Sequence, residues 1–92
     1  MNDPMTDTAE LFDFPCRFPI KAMGRQADGF EALVTDIVRR HAELWDGEDV
    51  RVAESAEGRF VSVTVTIQAE SREQLDRIYM DLTACDQVLM AL

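Results

Sequence analysis

From Cys16 to Met23 apolar and polar positions alternate, with Cys16, Phe18, Ile20 and Ala22 on one side and Arg17, Pro19, Lys21 and Met23 on the other. A period of two marks a half-buried strand. Pro19 opposes it, because proline cannot donate to a ladder, so the regular strand is expected only from about Pro19 and to end at Gly24. The period then lengthens: Phe30, Leu33, Val34, Ile37, Val38 and His41 share one face of a helix, with Asp28 as candidate cap. Glu31 and Asp36 stand early on its other face and Arg39 and Arg40 late, as the helix dipole favours. Gly47 marks a loop, and a strand is expected from Asp49 to about Ser55, followed by a turn at Ala56, Glu57 and Gly58. The clearest strand runs from Arg59 to Ala69, where Val61, Val63, Val65, Ile67 and Ala69 alternate with Ser62, Thr64, Thr66 and Gln68. Ser71 and Gln74 form a capping box ahead of a helix whose Leu75, Ile78, Tyr79 and Leu82 make one stripe. Asp86 to Leu92 reads as a short apolar strand.

The order βαββαβ predicts an α+β, ferredoxin-like domain, with one antiparallel sheet in the order 4-1-3-2 and both helices on one face. The opposite face is then open. It should display Lys21, Ser62, Thr64, Thr66 and Gln68, a polar choice suited to solvent or a wet partner surface. The sheet edges differ. Asp49, Arg51 and Glu54 charge the second strand in the manner that discourages pairing, whereas Val88, Leu89, Met90, Ala91 and Leu92 carry no side-chain charge. Such an edge accepts another strand, so a protein partner or a homodimer through the C-terminal strand is expected. The rival is that an arm, Leu11 to Phe14, covers this edge within one chain.

Composition bounds these readings. Ninety-two residues, 47% of them apolar, allow one core. Residues 1–10, with Pro4 and three acids, read as a disordered acidic tail and residues 11–92 as the single domain. Eighteen acidic residues against nine basic give −9, which repels phosphate backbones and argues against nucleic acid or an anionic membrane as partner. Neither a membrane span nor a signal peptide is legible, so the cytoplasm is the expected address.

One resemblance adds to this picture. The run Phe14-Pro15, then Phe18-Pro19-Ile20-Lys21-Ala22-Met23-Gly24, the strand from Gly58 to Val65 and the ending from Asp86 to Leu92 resemble the YbeD family of small bacterial proteins of unknown function. The resemblance implies the same βαββαβ fold, similar to ACT regulatory domains that bind amino acids at dimer interfaces, and a loose association with lipoate metabolism. It brings no functional residue with it. Pro19 departs from the family, which more often has a strand-compatible residue there.

Residues capable of chemistry are few. His41 is the single histidine, at the end of an apolar helix face, and no serine has a nucleophile-elbow motif around it nor can an Asp partner be placed for a triad. Cys16 and Cys85 fall at opposite ends of neighbouring antiparallel strands, too far apart for a bridge, and with one histidine they cannot build a zinc site. Glu43, Asp46, Glu48 and Asp49 lack the ordered spacing of a calcium loop. Gly24, Arg25, Gln26, Asp28 and Gly29 follow a strand and precede a helix; the turn explains the glycines, and a small-ligand site is the other reading, because the corresponding loop lines the effector pocket in the ACT domains that this chain resembles. Arg59-Phe60-Val61-Ser62-Val63 partly imitates an RNA-recognition strand but lacks its other stacking aromatics. A non-enzymatic binding or regulatory domain without a cofactor is therefore expected, the alternative being a small-molecule sensor for an amino acid or a lipoate-related acid.

Overall fold

A computed structural model describes residues 13–46 and 50–92. The elements are β1 (Cys16–Arg25), α1 (Phe30–Arg39), β2 (Arg51–Glu54), β3 (Phe60–Ala69), α2 (Arg72–Ala84) and β4 (Val88–Ala91). They form one antiparallel sheet in the order β2-β3-β1-β4, which is the expected order read from the other edge. The ferredoxin-like arrangement is thus present. Residues 1–12, including the expected tail and the Leu11 and Phe12 part of the arm, lie outside the described residues, as do Gly47, Glu48 and Asp49.

β1 and β3 pair over their full length, from Cys16 opposite Ala69 to Arg25 opposite Phe60. One face of this pair, with Ile20 and Ala22 from β1 and Val63, Val65, Ile67 and Ala69 from β3, is fully buried. Against it lie Phe30, Val34, Ile37 and Val38 of α1 and Leu75, Ile78 and Leu82 of α2. Each helix buries one stripe, as its period requires. Leu33 and Tyr79 contribute from the margin, only partly buried.

Two strand expectations need correction. β1 begins at Cys16, with Pro19 inside it opposite Thr66, and it runs through Gly24 to Arg25. Proline is tolerated for a geometric reason. Lys21 exchanges both main-chain bonds with Leu92 (N–H to O, 3.1 and 2.8 Å), so by alternation the nitrogen of Pro19 turns to the same side, beyond the reach of β4. No ladder bond is lost.

Helix entry also differs from expectation. Asp28 does not cap α1; the N-cap is Gly29, in the left-handed region at φ 83°, without a side-chain cap. That conformation is what selects glycine there. α2 is capped as expected, with Gln74 N–H donating to Ser71 Oγ at 3.1 Å, while the Gln74 Oε1 accepts from Glu70 N–H at 2.7 Å rather than from Ser71.

Beyond the Arg51 end of β2, residues 43–45 run beside β3. Leu44 bridges Ile67, Gln68 N–H donates to the Glu43 carbonyl and Trp45 N–H to the Thr66 carbonyl. Register therefore sets Thr66 between Pro19 and Trp45 on the open face, and Thr66 is buried rather than displayed. Lys21 is exposed there as expected, with Ser62, Thr64 and Gln68 half-buried.

Candidate functional site

β4 is short because its register breaks. Ala22 faces Ala91 and Met23 faces Met90, but Gly24 faces Val88, which leaves Leu89 as an extra residue in a bulge. Val88 reaches the core, whereas Leu89, Met90 and Leu92 remain 57%, 52% and 61% exposed. Because Leu92 spends its main-chain groups on Lys21, alternation turns those of Ala91 away from β1. Among the described residues nothing pairs with the outer side of β4. Phe14 packs on the core next to the Cys16 end of β1, remote from the Val88 end of β4.

The loop read as a possible ligand site divides. Gly24 belongs to the strand, and its reason is close approach. A Cβ there would collide with the Gln87 carbonyl oxygen and come within 2.6 Å of the Phe30 ring, so only glycine fits. Arg25 lies on the other face of the sheet, its guanidinium 5.8 Å from the centre of the Phe60 ring. Gln26, Asp28 and Gly29 do come together, at the mouth of a cavity of about 270 Å³ between the β1–α1 loop and β2. Phe30, Val52 and Val61 supply its apolar lining; Glu31 and Glu54 add two carboxylates to that of Asp28. Such a concentration of carboxylates disfavours an anion, as Asp28 alone already suggested.

His41 has the partner that the sequence could not supply. Its Nε2 lies 2.5 Å from Asp81 Oδ2 on α2, within hydrogen-bond distance. The His41 carbonyl in turn accepts from Gln74 Nε2 at 2.9 Å. Two contacts therefore clasp the end of α1 to α2. Forty positions separate His41 from Asp81, and no local pattern announces such a pair. Among the described residues, no serine or cysteine is hydrogen-bonded to it.

Cys16 and Cys85 are free and partly buried. Among the described residues no three metal-ligating side chains cluster, Glu43 and Asp46 included, and no helix is long and apolar enough to cross a membrane.

Comparison with known proteins agrees with the fold. Residues 9–92 match the model of a family described as protein of unknown function, DUF493. A UPF0250 protein of Chromobacterium violaceum is 51% identical over 83 residues, covering 90% of this chain and 93% of the relative. Another, from Pseudomonas paraeruginosa, is 45% identical, covering 96% of this chain and 100% of the relative. Among solved structures, protein HP0495 of H. pylori superposes with a TM-score of 0.68 at 13% identity, over 100% of this chain and 97% of that one. The ACT domain of GTP pyrophosphokinase from Chlorobium tepidum reaches 0.55 at 14% identity, over 83% of this chain and 84% of that one. At those identities the likeness concerns fold alone.

Proposed function

The chain belongs to the DUF493 family of proteins of unknown function, as its YbeD-like motifs implied, and from that premise we propose that it is a non-enzymatic binding or regulatory domain that acts by protein–protein contact through β4. The outer side of β4 carries the reading. It combines an outward-turned main chain at Ala91 with exposed apolar side chains at Leu89, Met90 and Leu92. A partner strand, from another protein or a second copy, gains main-chain bonds at one and apolar contact at the others. The Leu89 bulge keeps this edge short, which favours selective pairing over indefinite sheet growth.

Affinity capture from native extract at physiological salt tests it, with wild type and Ala91→Pro compared. Proline removes only the outward donor, so the variant should melt like wild type yet retain no partner. Retention of nothing by wild type, together with a monomeric mass in sedimentation, contradicts the reading.

The cavity beside Asp28 favours a second reading, a sensor of a small molecule. Its three carboxylates suit a ligand bearing an ammonium group, such as an amino acid, better than a lipoate-related acid. An amino acid at 100 times its Kd would add about 2.7 kcal/mol to stability, so a melting temperature unmoved by all of them removes this reading.

A further inference from the structure

Building on the reading of a contact domain, we propose that the open face of the sheet docks an acidic amphipathic helix of a partner protein, whose apolar stripe lies over Met23, Phe60 and Met90 while its carboxylates meet Lys21 and Arg25. Charge carries the first part. In a chain with eighteen acidic and nine basic residues, register places Arg17, Lys21, Arg25 and Arg51 on this face and no carboxylate at any of its strand positions. Among the described residues, acids stand at its margins: Glu43 and Glu70 beside Gln68, Glu54 beside Phe60, and Asp86 beside Arg25 around a neighbouring cavity. The charged strand positions of this face are thus all basic on an anionic molecule, with Lys21 and Arg25 flanking Met23, and complementarity selects an anionic partner.

Shape carries the second part. Phe60 of β3, Met23 of β1 and Met90 of β4 stand on three adjacent strands at one end of the face. Phe60 and Met90 are 39% and 52% exposed, and a groove of about 160 Å³ lies between Met23, Ala53, Phe60 and Ser62. Three strands at ~4.8 Å spacing span about 10 Å, the breadth of one helix. Arg25, held over the Phe60 ring, borders the strip at one end and Lys21, between Thr64 and Leu92, at the other. Thioethers in such a strip adapt to varied aliphatic side chains. Single-stranded RNA fits less well, since Phe60 and Trp45 stand at opposite ends of the face, opposite Arg25 and beside Thr66, and the whole-molecule charge is −9.

The test is a titration of the ¹⁵N-labelled protein with a synthetic helix of about 18 residues, long enough to hold its fold, bearing Leu at i, i+3, i+4 and i+7 spacing and Glu elsewhere. Shifts should be confined to amides near Lys21 to Arg25, Ser62, Thr64 and Met90. Lys21→Glu with Arg25→Glu should weaken binding at least about tenfold, as should high salt. Ala91→Pro should leave affinity unchanged, which separates this face from the β4 edge. Overturning results are an absence of shifts, shifts on α1 or α2, equal binding of the same peptide with Lys in place of Glu, or preferential binding of oligouridylate. Any of these, beside a persisting difference between wild type and Ala91→Pro in capture, removes the face and leaves the edge standing.

Discussion

Gly24 shows how much one side chain, or its lack, decides. The sequence presents it as the end of a strand or part of a turn, and pattern alone cannot tell these from a close approach to the carbonyl of Gln87, far along the chain. Because the Phe30 ring and Gln87 carbonyl occupy the space a Cβ would need, Gly24→Ala should lose about 1 to 3 kcal/mol by overpacking, measurable as a lower urea midpoint at unchanged slope. Tyr79 gives a different signature. Burial raises its phenol above the ordinary value of 10.0, because desolvation penalises the charged form. The unfolded chain therefore loses the proton first. The stability due to Tyr79 is complete below pH 10 and is lost as pH climbs through the raised folded value, so Tyr79→Phe should flatten the alkaline limb of the melting curve and leave neutral pH unaffected.

At the level of elements, legibility followed the strength of the local signal. β3 and α2 were plain, because unbroken alternation and a capping box each admit few other structures. α1 was plain as an apolar stripe but not at its start, where a left-handed glycine replaces the Asp28 cap. Pro19 misled about β1, since a proline's compatibility depends on which neighbour its nitrogen faces, and that neighbour lies at the far end of the chain. The stripe itself can be tested for depth. Val34 is fully buried and Leu33 only partly, so Val34→Asp should cost about 3 to 5 kcal/mol as an uncompensated buried charge, and Leu33→Asp distinctly less. Against a total of roughly 5 to 14 kcal/mol, the first should unfold much of the population and the second leave a cooperative melt.

For the molecule as a whole, topology was legible and surface chemistry was not. The order of elements and the right-handed rule sufficed for the sheet. The sum of charges argued against nucleic acid and anionic membranes, yet folding gathers Arg17, Lys21, Arg25 and Arg51 on one side, which only register discloses. The His41–Asp81 clasp and the carboxylate-lined cavity share that cause: each joins residues distant in sequence. The proposals for the open face and for the β4 edge both invoke contact without chemistry, and the edge is the more exacting of the two. Amide exchange at Ala91 addresses it directly. In the dilute protein this N–H should exchange at nearly the rate of an unstructured chain, and become protected once a partner or second copy is bound; slow exchange in the isolated monomer, or no change in the complex, would contradict the account.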